Sequence, residues 1–220
     1  MRTHAVFLRL EGRRCVVVGG DDAAAAKVDA ALRAGAEVTV VAETLAPALE
    51  RRAAGGDVVV HRRAYRAGDL RGAFVAYASE RDPRIVAALR GEAEREHVLL
   101  NVIDVPDACT FLSPSVLTRG DLQVAVGTGG TSPGAAARIR RELEHTIGPE
   151  YGPYVAILGA VRRALDGTPG RIAVMERLAD SELLALVRRG ERAAVDALLV
   201  RLAGDGCTLG RLGVTLGGEG

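Results

Sequence analysis

Residues 14 to 27 read RCVVVGGDDAAAAK, an apolar, β-branched run that ends on two glycines and passes straight into an alanine-rich stretch. Such a run suits a strand buried on both faces, the glycines permit a tight turn, and alanine favours the helix that follows. Strand, glycine turn and helix in this order open a βαβ unit, whose helix N-terminus and free backbone N–H groups can hold a dinucleotide pyrophosphate.

The grammar repeats over the first half of the chain. AVFLRL (5 to 10) reads as a short strand and residues 22 to 34 as a helix closed by Gly35. EVTVVA (37 to 42), an amphipathic ALERRAA stretch, DVVVHRR (57 to 63), GAFVAYA (72 to 78), a helix from Asp82 to Arg95 and VLLNVI (98 to 103) follow. This alternation implies an α/β domain, a Rossmann-like doubly wound parallel sheet spanning residues 1 to 113. After Asp104 the pattern changes. PSVLTRGDLQVAVGT reads as two strands joined at Arg119-Gly120-Asp121, then Ser132 and Pro133 open a helix over 134 to 146, giving a small α+β region at 114 to 147. Only helical patterns fill the stretch from Gly148 to Arg201, with breaks at Asp166 to Gly170 and at Gly190. The last eighteen residues are glycine-rich and read as a mobile tail of this helical domain, 148 to 220.

Composition narrows the partners. Lysine and arginine total 29 against 28 acidic residues, which argues against nucleic acid or a membrane surface as the main partner. Cys15, Cys109 and Cys207 are odd in number and form no CxxC pair, so neither a disulfide frame nor a zinc site is indicated. The N-terminal apolar run is too short for a signal peptide and no 18-residue apolar segment follows, which sets the cytoplasm as the expected compartment.

Within this frame several residues carry chemistry, each with a plainer reading beside it. In a G-x-G-x-x-A turn Gly19 is the first glycine and Ala24 the last small residue, while Asp21 occupies the middle glycine position and brings a side chain and a charge to the pyrophosphate. The plainer reading is that Asp21 or Asp22 caps the helix. Glu43, past the second strand of the unit, is placed to accept from a ribose hydroxyl, which favours NAD over NADP, or is an ordinary surface glutamate. GTGGTSPGAA (127 to 136) gathers glycines, hydroxyls and a Ser-Pro helix start into an anion cradle, or a flexible loop that Ser132 caps. Arg138, Arg140 and Arg141 begin the next helix as a basic or merely solvated face. Asp104, just past a buried strand, is the leading acid/base candidate if partly buried there, and an Asx-type cap of the turn into Val105-Pro106 otherwise. The four histidines are scattered and suggest no metal cage.

VVVGGDDAAAAK, AGAEVTVVAETL, ASERDP, NVIDVPDACTFLSPS, LTRGDLQVAVGTGGTSP and the ARIRRELE run resemble, in order and spacing, the siroheme synthase family over about residues 5 to 150. The resemblance implies precorrin-2 dehydrogenase activity: NAD-dependent oxidation of precorrin-2 to sirohydrochlorin, and in bifunctional members sirohydrochlorin ferrochelatase activity, which inserts Fe²⁺ to give siroheme. It implies a homodimer interlocked through the region after the Rossmann domain. It places the catalytic aspartate on Asp104, the cofactor against Gly19, Gly20, Asp21, Asp22, Ala23, Glu43 and Ser79, and the tetrapyrrole against Asn101, Phe111, Pro114 and Ser115. Arg119, Thr128, Gly129, Gly130, Thr131, Ser132 and Arg138 would serve the macrocycle's carboxylates, and Thr128 matches a position that is a phosphorylated serine in some members. The chain departs from the family at Asp21, where a third glycine is usual, at Ala25 and Ala26 before Lys27, and in ASERDP. Asp21 keeps a second reading open, a tetrapyrrole chelatase or related pathway enzyme that does not use NAD. A noncatalytic tetrapyrrole or haem-binding protein on the same fold is the third.

Overall fold

The computed structural model describes residues 2–217 and divides them into two compact units, one of residues 2–113 with Gly129–Thr131, the other of residues 114–128 with 132–217. In the first, β1 (Arg14–Val18), β2 (Glu37–Val41), β3 (Val59–His61), β4 (Val75–Ala78) and β5 (Leu99–Val102) form a parallel sheet in the order β3-β2-β1-β4-β5. Its central strand is buried from Cys15 to Val18, as a strand covered on both faces must be. Cys15, Val17, Val38 and Val40 pack on one face under α1 (Asp22–Arg33) and α2 (Pro47–Ala54). Val16, Val18, Ala76, Leu100 and Val102 pack on the other with Leu89 and Ala93 of α3 (Pro83–Glu96). The expected doubly wound sheet is therefore present.

Local chemistry sets the ends of these helices. Ala24, Ala25, Val28 and Ala31 form the buried stripe of α1, small enough for close approach to the strands, and Gly35 follows at φ 77° to release the chain. Asp82 caps α3 through Arg84 N–H with Pro83 at the first turn. One stabilising group had no sequence signal: Glu92 on α3 is 2% exposed and accepts from Leu70 N (2.8 Å), Gly68 N (3.0 Å) and the Tyr65 hydroxyl. These bonds tie the 65–70 loop to α3 and compensate the buried carboxylate.

The strand expected over residues 5 to 10 does not form. Those residues have no regular structure, Val6, Phe7 and Leu8 are exposed, and Leu10 alone is buried. The sheet ends at β3 and β5 and this segment pairs with neither, and alternation alone makes no strand. The expected strands at 57–63 and 72–78 shorten to β3 and β4.

In the second unit β6 (Ser115–Arg119) and β7 (Leu122–Val126) form a hairpin whose two-residue turn starts on Gly120 at φ 55°. α4 (Pro133–Thr146) packs on it, with Ser132 capping Ala135 N–H. Five further helices, α5 (Tyr151–Ala164), α6 (Arg171–Ala179), α7 (Leu183–Arg189), α8 (Arg192–Ala203) and α9 (Leu209–Leu212), enclose a core of Ile157, Val161, Leu178, Leu183, Val195 and Leu199. The breaks at 166–170 and Gly190 stand as expected, and another falls between Ala179 and Leu183. The tail does not behave as a mobile segment throughout. Cys207 and Leu209 are buried, Leu209 N–H donates to Asp196 at 2.6 Å, and Val214 and Leu216 pack on the core. These four apolar anchors outweigh the entropy that its glycines add. Residues 218–220 of the expected tail lie outside the described residues.

Candidate functional site

The carboxyl end of the sheet, where the order reverses between β1 and β4, is where open α/β sheets place their ligands. β1 leaves the sheet at Gly19, whose N–H donates to Val41 O (2.9 Å), while Ser79 N–H donates to Val18 O (2.9 Å) and Ala46 N–H to Gly20 O (2.6 Å). Three loops are thereby drawn together. A Cβ at Gly20 would lie 1.9 Å from the backbone oxygen of Thr44, and Gly19 takes φ 115° beside Ser79, so packing and backbone conformation within the protein already call for both glycines.

Asp21 stands at the N-cap of α1 and accepts from Ala24 N–H at 2.8 Å. The N–H groups of Gly20, Asp21, Asp22 and Ala23 donate to no acceptor among the described residues. Gly20, Asp21 and Asp22 line a cavity of about 460 Å³, together with Gly19, Thr44 to Pro47, Ser79 and Glu80. Free N–H groups at the amino end of a twelve-residue helix fit a dinucleotide pyrophosphate. The acidic groups nearby are partly engaged: Asp21 in its cap, and Glu80 by the N–H groups of Arg81 and Asp82. Glu43 is exposed just past β2, with no ion pair or hydrogen bond of its side chain among the described residues.

At the end of β5 the chain turns through Ile103 and Asp104, with Val105 N–H donating to Val102 O at 3.2 Å. Asp104 takes φ 62°, a left-handed conformation that costs a non-glycine residue energy. Two expectations for it are corrected here. Its side chain is 76% exposed, so the partial burial is absent, and its carboxylate accepts from no backbone N–H, so it caps nothing. Among the described residues its one ion-pair partner is the exposed Arg81, at 3.7 Å. The turn is imposed from behind, where the Cys109 thiol accepts from Val102 N–H and faces the carbonyls of Val102 and Val105. Thr110 continues the clamp through both backbone groups of Leu100. Nothing in the sequence singled out Cys109 or Thr110.

Asn101, on β5, is 6% exposed and donates to Phe111 O at 3.0 Å while accepting from Ser113 Oγ. Its amide is spent on holding the 111–113 segment, and the Phe111 ring packs edge-on against Tyr77 at 5.6 Å. The structure thus gathers Gly19, Gly20, Asp21, Asp22 and Ser79 at one cavity, and Asn101 with Phe111 at the neighbouring strand. Asp104 and Glu43 are exposed at the ends of β5 and β2.

In the second unit Arg119 donates to Ile147 O and Thr118 O, tying the hairpin to the end of α4. Pro114 and Ser115 lead into β6. The Thr128 hydroxyl accepts from Ser132 N–H and donates to Ser132 O, closing its own loop. Gly129 and Gly130, which with Thr131 group in the first unit, take positive φ, and the N–H groups of all three find no acceptor among the described residues. Arg138 forms an exposed pair with Glu142. Among the described residues no three metal-ligating side chains converge, and no helix is long and apolar enough to cross a membrane.

Comparison with known proteins agrees with this geometry. A family model for NAD(P)-binding domains matches residues 6–115, and one for the central part of sirohaem biosynthesis proteins matches residues 119–146. The chain is 36% identical over 165 residues to a siroheme synthase of Methylobacillus flagellatus, covering 75% of this chain and 35% of that protein. It is 33% identical over 192 residues to siroheme synthase 1 of Serratia proteamaculans, covering 86% and 40%. It therefore spans well under half the length of these relatives. Among solved structures, SirC, a precorrin-2 dehydrogenase, superposes with a TM-score of 0.73 at 25% identity, over 86% of this chain and 96% of that one. With a dinucleotide-binding sheet and a matching central region in the same order, the chain belongs to the siroheme synthase family and carries its NAD(P)-binding and central parts.

Proposed function

We propose that this protein is a precorrin-2 dehydrogenase, oxidising precorrin-2 to sirohydrochlorin with NAD. The observation that carries the reading is the pairing of unpartnered N–H groups at the α1 N-terminus with an aspartate held in a left-handed turn two strands away on the same sheet end. Non-glycine residues kept in that conformation without a capping bond are characteristic of functional positions. The cofactor, when bound, supplies the hydride acceptor. Gly20 to Ala23 would take its pyrophosphate, Glu43 would accept from a ribose hydroxyl and repel a 2′-phosphate, and Ser79 would border the same cavity. Asp104, exposed and ionisable, would take the accompanying proton, and Asn101 would hold Phe111 as an apolar wall for the flat macrocycle. The free N–H groups of Gly129 to Thr131 would meet ring carboxylates; Thr128, Ser132 and Arg119, engaged in the protein's own hydrogen bonds, would serve by holding their loop and hairpin, and the exposed Arg138 is a further candidate for a carboxylate.

Fe²⁺ insertion into sirohydrochlorin belongs to the same reading, with Fe²⁺ as substrate and Asp104 accepting pyrrole protons. Residues 114 to 147 would serve a homodimer: one hairpin face packs on α4, while Val116 on the other is 42% exposed and neither strand edge has a partner strand among the described residues. Sedimentation at micromolar concentration tests this, and a monomer would refute it. A second reading has one observation in its favour. Asp21 lines the cofactor cavity with a carboxylate where a dinucleotide-binding turn usually has glycine, a charge that a chelatase dispensing with NAD would tolerate. An anaerobic assay with precorrin-2 and NAD, followed by absorbance and then by Fe²⁺ addition, separates them. Formation of sirohydrochlorin only when NAD is present supports the dehydrogenase; metal insertion without oxidation supports the chelatase.

A further inference from the structure

Lys27 is the only lysine in a chain whose other 28 basic residues are all arginine. It lies on α1, half-buried, with its Nζ 5.5 Å from the centre of the Tyr77 ring. No carboxylate pairs with it among the described residues. Its neighbours bring no negative charge at neutral pH either: burial pushes the Tyr77 hydroxyl up to about 12 and raises the Cys109 thiol as well. Burial also lowers the Lys27 amine from its ordinary range, the expected result for a cation removed from water without a counter-ion.

A purely structural cation over an aromatic ring does not call for lysine. Arg13 lies over Phe74 at 5.2 Å in the same unit, and guanidinium suits that contact at least as well as ammonium. What sets Lys27 apart is its surroundings. Tyr77 pairs in register with Asn101 on β5, and Phe111 packs edge-on against the same Tyr77 ring. The unpaired ammonium and the apolar wall assigned above to the macrocycle therefore share one aromatic side chain. A partly desolvated, unpaired cation gains most from an incoming anion, because its own desolvation has already occurred.

We propose that Lys27 is a substrate-binding residue whose ammonium takes one ring carboxylate of the polycarboxylate macrocycle beside Phe111. This rests on the dehydrogenase reading, and the test separates the two. Reductive methylation with ¹³C-formaldehyde labels only Lys27 and the terminal amine, so the wild-type protein gives one lysine signal to follow while sirohydrochlorin or NAD is added. The Lys27 signal should move with sirohydrochlorin and stay with NAD alone, and Lys27→Met should weaken sirohydrochlorin binding about tenfold or more with NAD affinity unchanged. If sirohydrochlorin binds but the signal stays, or if it moves with NAD alone, Lys27 does not serve the macrocycle. Equal affinity in a folded Lys27→Met variant would also overturn the proposal. Should Lys27→Met fail to fold, the labelled wild-type protein still decides. If wild-type protein binds no sirohydrochlorin at all, the dehydrogenase reading falls with it.

Discussion

Two tight turns leave the same end of the sheet, and they invert the usual expectations about glycine. After β1 the chain turns through Gly19 and Gly20, where a methyl group would collide with Ser79 or Thr44. After β5 it turns through Asp104 at φ 62°, where glycine would be more comfortable and where the aspartate side chain makes no capping bond. The glycines that look like a ligand signature are demanded by packing and backbone conformation, whether or not a cofactor binds. The aspartate that looks like an ordinary turn residue is the one that packing and hydrogen bonding leave unexplained.

Substitutions in each turn sharpen or break this contrast. The largest loss is expected for Gly20→Ala, because the new methyl would lie 1.9 Å from a backbone carbonyl that cannot move without shifting the β2–α2 loop. Destabilisation of about 3 kcal/mol or more should appear as a lower melting temperature. A variant that melts like wild type would show that the loop adapts and that the glycine serves the ligand instead. Asp104→Asn should leave melting unchanged, since asparagine tolerates the left-handed conformation, while turnover falls about 100-fold, roughly 2.7 kcal/mol of transition-state stabilisation. Full turnover by the Asn variant would remove Asp104 from the proton path.

Asp104→Gly inverts the Gly20 experiment. Relief of the left-handed strain and the greater freedom of the unfolded chain nearly cancel, so stability should stay within about 1 kcal/mol of wild type while activity is lost. A larger loss of stability, read by denaturant titration, would mean that the Asp104 side chain contributes to the fold. The smallest effect is expected at Asp21. Replacing this N-cap by glycine costs a few tenths of a kcal/mol, and with its carboxylate engaged by Ala24 N–H, NAD affinity should change by less than about threefold. Calorimetry showing tenfold tighter binding would place that charge against the pyrophosphate.

Much of the first unit was legible in the sequence because strand and helix periods and the glycine turn are local signals. RCVVV, EVTVV and LLNV became parallel strands of one sheet, and Asp82, Pro83, Ser132 and Gly120 took the cap and turn roles that their types favour. AVFLRL misled because strand propensity becomes a strand only when the segment pairs with a neighbour, and this one docks on neither edge of the sheet. The glycine-rich end misled in the opposite sense, its flexible residues being anchored by Cys207 and Leu209 in a core built from distant helices. Glu92, Cys109 and Thr110 carried no signal, since each acts on backbone groups that only folding brings near it.

By itself the sequence determined the doubly wound sheet, the change of architecture after Asp104 and the family, all of which follow from hydrophobic period, turn residues and motif order. The tertiary structure alone decided which candidates are committed to the protein's own hydrogen bonds, as Asn101, Thr128 and Arg119 are, and which remain free, as the N–H groups of Gly20 to Ala23 and the carboxylate of Asp104 are. The physical reason is that a residue's type sets what it can donate or accept, whereas its partners are set by chain segments arriving from elsewhere in the fold.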